Sequence, residues 1–239
     1  MIKKRVGIVF LVTGAALLIA ALLLFLHNVR EDELAGEASG AALSAIQNAI
    51  DEKNIPPMLD LSGDDAAETI ATEETIPEPT ELTVVTIDGH DYIGYIAIPN
   101  YELELPIMAD WSMEKLQIAP CLQYGSPLTD DAVIAGHNYK QHFRALHEIE
   151  VGEYLTFTDM TGYTIAYNVV DVKTIDPRSV YEVINSEYDL TLYTCTTGGA
   201  SRVIVSCDRV SHLPESKEQT RLAGILPSAG KGIIIQTLQ

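Results

Sequence analysis

Apolar residues are concentrated near the start of the chain, where residues 6–26 carry no charged side chain. At a rise of 1.5 Å per residue, a helix of this length spans about 31 Å, close to the hydrocarbon thickness of a bilayer. Lys3, Lys4 and Arg5 precede the run, and such basic clusters stay on the cytoplasmic side of a membrane. The pattern predicts a single-pass anchor in the cell membrane, with a cytoplasmic N-terminus and an extracellular body.

A cleaved signal peptide is the competing interpretation of the apolar run. Signal peptides have a shorter apolar core and small residues at its exit, whereas this run ends on Phe25 and Leu26. Residues 35–38 offer a cleavage sequence further along. We favour the uncleaved anchor and assign residues 1–30 to the basic cytoplasmic end and the transmembrane helix.

The polar stretch at residues 31–83 is predicted to be an acidic stalk. Residues 31–53 are rich in Ala, Leu, Ile and Glu, and Ile46 and Ile50 recur at helical spacing, so a helix can continue from the membrane. Residues 54–83 contain four prolines and many acidic side chains, which favour an extended, solvated spacer. We prefer this interpretation to a calcium site, because the stretch has no 12-residue EF-hand pattern.

Short β-rich runs separated by turns follow from residue 84 onwards. Strands are expected at residues 92–98, 103–108, 132–135, 153–158, 163–174, 190–194 and 202–207. Short helices are expected at residues 112–117, 141–149 and 178–184. About eight short strands with few helices are typical of a closed or nearly closed β-barrel. Residues 84–210 are therefore predicted to be a mostly β domain, and residues 211–239 an extension of unknown role.

Composition narrows the possible functions. The formal net charge is −19, so phosphate contacts with nucleic acid are not expected. Three cysteines without a CxxC pair argue against a disulfide scaffold, a zinc site and thioredoxin-like chemistry. No cofactor is predicted. Calcium stimulation stays open, because Glu182, Glu187 and Asp189 lie close together in the sequence.

Three residues at predicted strand ends have side chains suited to nucleophilic catalysis. Cys195 ends one strand and precedes a polar, Gly-containing loop, which places a thiol at a rim where substrates bind. His137 follows another strand, and a histidine is the usual partner of a nucleophilic cysteine. Arg202 begins the next strand and can stabilise an oxyanion. Strand alternation places Cys207 on the face opposite to Arg202, so Cys207 is expected to be a shielded, unpaired thiol.

The same residues resemble the motifs of a known family. Residues 191–195 read Thr-Leu-Tyr-Thr-Cys and resemble the Thr-Leu-x-Thr-Cys signature of sortases, with Arg202 at a sortase-like distance. Residues 135–138 resemble the sortase histidine segment, and residues 94–107 resemble the first two strands of that family. The likeness covers residues 92–210, and an N-terminal anchor with a stalk is the usual layout of the family.

This resemblance implies an eight-stranded barrel that acts as a cysteine transpeptidase on a Gram-positive-type cell surface. By that likeness, Cys195 attacks the threonine carbonyl of a sorting motif similar to Leu-Pro-x-Thr-Gly. His137 then protonates the leaving amine and later deprotonates the incoming amine, and Arg202 stabilises the oxyanion. The acyl group passes to an amine of a cell-wall peptide or a pilin. Thr194, Tyr139 and His142 are candidate substrate-binding residues. The segment between the β-rich runs, at residues 174–190, is short, which disfavours assignment to the class B sortases.

Two other functions stay open on the sequence. A Cys/His hydrolase of cell-wall peptides uses the same residue types, although papain-like enzymes place the cysteine before the histidine. A membrane-tethered binding domain that has lost catalysis is the alternative from another class, and the presence of all three candidate residues argues against it.

Overall fold

The computed structural model describes residues 2–54 and 78–211 of the chain. The predicted spacer lies almost entirely outside these residues, as does the C-terminal extension after Ser211. The described part contains two α-helices and nine strands. The helices are α1, Ile2–Asn54, and α2, Val180–Ile184. The strands are β1, Val85–Ile87; β2, His90–Ile98; β3, Leu103–Met108; β4, Cys121–Tyr124; β5, Ala132–Ala135; β6, Tyr154–Asp159; β7, Thr164–Ile175; β8, Leu190–Cys195; and β9, Arg202–Val210.

Eight of the strands close into a barrel. Their order is β2-β3-β4-β5-β8-β9-β7-β6, and β6 pairs back onto β2. Strand β1 forms a hairpin with the start of β2. Most neighbours are antiparallel, whereas β3 with β4 and β5 with β8 run parallel. The predicted eight-stranded barrel is therefore confirmed.

Gly94 allows the barrel to close where β2 meets β6. Its φ is +144°, and a Cβ added there would lie 2.0 Å from the main-chain oxygen of Thr158. Only a residue without a side chain permits this approach.

Strand alternation sorts side chains between the barrel interior and its outer face. Interior residues pack in one large apolar cluster, in which Leu192 of β8 lies near Val205 and Cys207 of β9. The intervening residues, such as Tyr193 and Ile204, face outward. Cys207 is fully buried on the interior side, as the strand alternation predicted.

The sequence prediction missed two strands, the three-residue β1 and β4. Cys121 begins β4 and pairs with Ala135 of β5. Strand β4 has only four residues and follows Pro120, so its sequence carries almost no period to detect. Both cysteines outside β8 are fully buried, and none of the three forms a disulfide within the described residues.

Helix α1 has two halves in different surroundings. Its first half is long and apolar enough to cross a membrane, and from Phe10 to Leu26 its side chains are not buried by the protein. An unburied apolar surface of this extent is typical of a lipid-facing segment. The second half follows without a break.

The second half of α1 packs on the outside of the barrel, against β1, β2 and β3. Its buried residues recur at helical spacing and are Ala35, Ser39, Ala42, Ile46 and Ile50. Full burial of an isoleucine side chain contributes about 1.5–3 kcal/mol. The helical part of the predicted stalk is thus docked onto the domain rather than standing clear of it.

Candidate functional site

The candidate catalytic residues lie side by side at one end of three adjacent strands. Cys195 is the last residue of β8 and pairs directly with Arg202, the first residue of β9. His137 comes two residues after β5, whose Ala135 lies beside Tyr193 of β8 in parallel register. Continuing that register by two residues brings His137 to the level of Cys195. The row runs from His137 through Cys195 to Arg202.

The same alternation places this row on the outer face of the barrel. Cys195 is two residues from Tyr193, which faces outward, and Arg202 is two residues from Ile204, which also does. All three candidate side chains are partly exposed. A substrate can therefore reach the thiol from outside while the barrel core supports its strand.

The environment of His137 favours the neutral imidazole. Burial lowers the pKa of His137, and the nearby carboxylate of Glu31 opposes part of that shift. The Tyr139 ring lies 4.7 Å from the His137 ring, centroid to centroid. A neutral histidine can accept a proton, as a general base must.

Hydrogen bonds hold the strand ends at a fixed separation. The Thr194 hydroxyl donates to the Gly136 carbonyl at 2.8 Å, and the Gly136 N–H donates to the Tyr193 carbonyl at 3.1 Å. Gly136 is required here, because an added Cβ would lie 2.5 Å from the Phe143 ring. The backbone thus fixes how far the imidazole and the thiol can move apart.

His147 is a residue near Cys195 that was not among the candidates from the sequence. Its Nε2 lies 3.1 Å from the Cys195 carbonyl oxygen, from a 3₁₀ helix at Phe143–His147. With a proton on Nε2, it donates to that oxygen and supports the backbone of Cys195. The helical segment at 141–149 was predicted, but no signal in the sequence indicated this contact.

The guanidinium of Arg202 is held by the loop between β8 and β9. It donates to the carbonyls of Gly199 and Ser201 at 3.2 and 3.0 Å. The loop closes on itself through Thr196, whose hydroxyl accepts from the Ser201 N–H at 3.0 Å. Positive φ angles at Gly198 and Gly199 make this tight return possible.

Two of the predicted substrate-binding residues are buried. Thr194 is buried, and its hydroxyl is used by the Gly136 carbonyl. His142 is fully buried beneath α1, and neither ring nitrogen has a well-formed hydrogen bond among the described residues. Sequence alone did not indicate this burial, and substrate binding by Thr194 and His142 stays a prediction. Tyr139 lines a cavity beside His137 and stays a candidate.

A groove runs along the outer face away from the row. Next to Arg202 lies a cavity of about 230 Å³, lined by Tyr193, Trp111 and the segment at 175–183. Further along β8 and β9 lies a second cavity of about 550 Å³, between Thr191, Ser206 and the α2 segment. The two cavities share the lining residues Ile175 and Val183.

The acidic residues considered for calcium do not gather at one point. Glu182 and Glu187 line the larger cavity, whereas the Asp189 carboxylate accepts the Arg209 N–H at 2.7 Å. Within residues 2–54 and 78–211, no three acidic, histidine or cysteine side chains are arranged to hold a metal ion.

Comparison with known proteins identifies a family. The sortase domain model matches residues 96–210, which include the whole row and most of the barrel. No curated protein matches the chain.

Solved sortase structures are also similar. Sortase C from Clostridium perfringens SM101 is 22% identical, covering 51% of this chain and 71% of its own, with a TM-score of 0.45. Sortase C1 of Streptococcus agalactiae, in complex with MTSET, is 26% identical over 52% of this chain and 70% of its own, with a TM-score of 0.47. Sortase C1 from Streptococcus suis is 25% identical over 53% and 77%, with a TM-score of 0.46.

Proposed function

Because the chain belongs to the sortase family through its domain at residues 96–210, we propose that it is a membrane-anchored cysteine transpeptidase. Sortases are cysteine transpeptidases, and the row of His137, Cys195 and Arg202 supplies the groups that this chemistry needs. The observation that carries the proposal is the direct pairing of Cys195 with Arg202, with His137 two residues beyond the end of the neighbouring strand β5.

In the proposed reaction, the neutral imidazole of His137 takes the proton of the Cys195 thiol, and the resulting thiolate attacks the threonine carbonyl of a Leu-Pro-x-Thr-Gly-like sorting motif. Arg202 stabilises the tetrahedral oxyanion, and His137 protonates the leaving amine as the C–N bond breaks. The thioester keeps the acyl group reactive. An incoming amine then attacks it, gives a proton to His137, and Cys195 leaves as thiolate.

The acyl side of the motif is assigned to the groove beside Arg202. Its floor includes Tyr193, whose hydroxyl donates to Gln123, and its wall includes Trp111. Mostly apolar lining with a few fixed polar groups is typical of a peptide-binding path. The amine belongs to a cell-wall peptide precursor or a pilin, as the family resemblance implies.

We place the enzyme in the cell membrane through residues 6–26. Lys3, Lys4 and Arg5 favour a cytoplasmic N-terminus, which puts the barrel on the outer surface beside sorting signals.

The test uses the full chain in detergent, a fluorogenic Leu-Pro-x-Thr-Gly library and triglycine as amine. Cleavage and amide formation are followed by mass spectrometry. Cys195→Ala should abolish both, whereas Cys121→Ala should keep them, because Cys121 is buried in β4. His137→Ala should lose about 10²–10⁴ in rate. Arg202→Lys should not restore full kcat/KM, because an ammonium lacks the planar fork of the guanidinium.

The outcome also separates the alternatives. Hydrolysis without amide formation would favour the cell-wall peptidase. Absence of any Cys195 acyl-enzyme across the library would favour a tethered binding domain. Full transpeptidation by Cys195→Ala would refute the proposed nucleophile.

A further inference from the structure

A cavity that the proposed acyl groove does not include opens beside the catalytic row. Its volume is about 480 Å³. One side is formed by Asn138 and Tyr139, which follow His137, and by Thr197 and Gly198, which follow Cys195. The cavity therefore lies next to both reacting side chains, beyond the strand ends rather than along the groove beside Arg202.

The opposite side of this cavity is α1. Phe25, Val29, Glu31 and Asp32 line it, at the point where the apolar half of the helix gives way to the polar half. Glu31 is five residues past Leu26, or about 8 Å along the helix axis. The cavity is thus at the level of lipid headgroups if residues 6–26 fill the hydrocarbon layer.

The α1 wall is held in place by specific contacts. An Asp32 carboxylate oxygen accepts the Lys140 N–H at 2.6 Å. Gly36 lies so close to the Gln141 side chain that an added Cβ would approach its Cγ to 2.7 Å. Further along, the Gln47 amide donates to Glu104 at 2.9 Å. The position of Glu31 relative to His137 is therefore set by packing and not by a loose tether.

The charge of the cavity favours a cation. Two carboxylates, Glu31 and Asp32, line it together with one guanidinium, Arg144. Arg144 donates to the Asn138 carbonyl at 3.3 Å, and Asp32 is engaged with Lys140. Glu31 is half exposed and lies 3.2 Å from His27, one turn earlier on α1. Its negative charge acts to raise the pKa of both His137 and Tyr139.

We propose that this cavity is the amine-side subsite of the reaction, and that Glu31 of the membrane helix attracts the primary ammonium group of the incoming nucleophile. The inference rests on the proposed function. The acyl side of the substrate lies along the groove beside Arg202, so the side of Cys195 that adjoins His137 receives the amine. The ammonium loses one proton to solvent. His137 takes the second as the C–N bond forms and the C–S bond to Cys195 breaks.

The test is a competition between two nucleophiles for the same acyl-enzyme. The full chain in nanodiscs is acylated with a sorting-motif peptide in the presence of triglycine and hydroxylamine. The amino group of triglycine arrives as an ammonium, whereas hydroxylamine is uncharged at neutral pH. Any effect on the acylation step changes both products equally, so it cancels in the ratio of triglycine product to hydroxamate. Both nucleophiles need His137 as the base.

Glu31→Gln should lower this ratio about two- to fivefold, as expected for loss of one partly exposed ion pair. Glu31→Lys should lower it further, and added salt should weaken the preference of the wild type. Glu33→Gln is the matched control, because Glu33 is exposed on the same helix and does not line the cavity. Asp32 is not substituted, because its hydrogen bond with the Lys140 N–H holds α1 against the domain.

A ratio unchanged in both Glu31 variants, or lowered equally by Glu33→Gln, would overturn the inference. Failure of the proposed function would look different, since no hydroxamate would form at all. Repeating the competition with triglycine attached to a lipid headgroup identifies the source of the amine. A Glu31 effect on both forms indicates recognition of the ammonium alone. An effect only on the tethered form indicates a membrane-held donor.

Discussion

His142 is expected to make the folded protein lose stability as the pH falls. Burial lowers the pKa of His142 to about 4, and the nearby His137 adds to that shift. Asp32 and the backbone of Ala35 and Ile118 oppose it only in part. In the unfolded chain a histidine has a pKa of about 6.5. Between these two values the unfolded state binds one proton more, so the free energy of unfolding decreases with decreasing pH.

The size of the effect follows from the two pKa values. At about 1.36 kcal/mol per pKa unit, the full loss is about 3 kcal/mol once the pH is below 4. About 2 kcal/mol of it is expected between roughly pH 7.5 and pH 5. For a domain of this size that is a substantial part of a typical total stability of about 5–15 kcal/mol.

Urea unfolding of the detergent-solubilised chain, followed by circular dichroism across this pH range, measures the loss. His142→Leu removes the buried titratable group while keeping a side chain of similar volume. Its pH-dependent loss should be smaller than that of the wild type by about 2 kcal/mol over the same range. His147→Leu, at an exposed site on the same segment, is the matched control. If the free energy of unfolding depends on pH in the same way in His142→Leu and in the wild type, His142 is not the buried group that stays neutral in the folded protein.

Other expectations concern the cysteines, the barrel closure and the anchor. Brief treatment with iodoacetamide should label Cys195 in the native protein but leave Cys121 and Cys207 unlabelled, because burial raises the pKa of both thiols and both are inaccessible. Equal labelling by peptide mass mapping would contradict this. Gly94→Ala should destabilise the barrel by more than about 2 kcal/mol in urea unfolding, whereas Gly40→Ala, which meets nothing on α1, should not. Finally, the full chain should stay in the membrane fraction after a high-salt wash, and its release would refute the membrane helix.

Strands with clear boundaries could be predicted from the sequence. β3 and β5 match the predicted limits to the residue, and β8 and β9 start where expected. These strands are apolar runs between turn-forming residues, so local patterning suffices to find them. Strand β4 lacks such a pattern. Its place between β3 and β5 is determined by pairing with distant segments.

The docking of α1 could not be predicted for a related reason. Its buried face consists largely of small side chains, Ala35, Ser39 and Ala42, which add little to a hydrophobic pattern. The exposed acidic residues dominate the composition of that segment and suggest a solvated stalk. Only the contact with the barrel distinguishes a docked helix from a free one, and that contact depends on tertiary structure.

The candidate site was predictable in its residue types but not in its supporting contacts. Cys195 and Arg202 flank a short loop, so their pairing follows from a hairpin. The approach of His137 depends on parallel pairing between strands far apart in sequence, and only family resemblance pointed to it. His142 was assigned by its proximity in sequence to His137, which does not report the direction of a side chain.

The parallel pairing of β5 with β8 makes the spacing of the reacting groups independent of the segment that forms the groove wall. The segment between His137 and Cys195 contains β6, β7 and α2, and it supplies much of the groove wall. The spacing of imidazole and thiol is nevertheless set by main-chain bonds between the two strands, not by the length of that segment. Residues can therefore be inserted around α2, and the peptide preference altered, without moving the reacting atoms. The scaffold lets recognition diversify in evolution while the chemistry stays fixed.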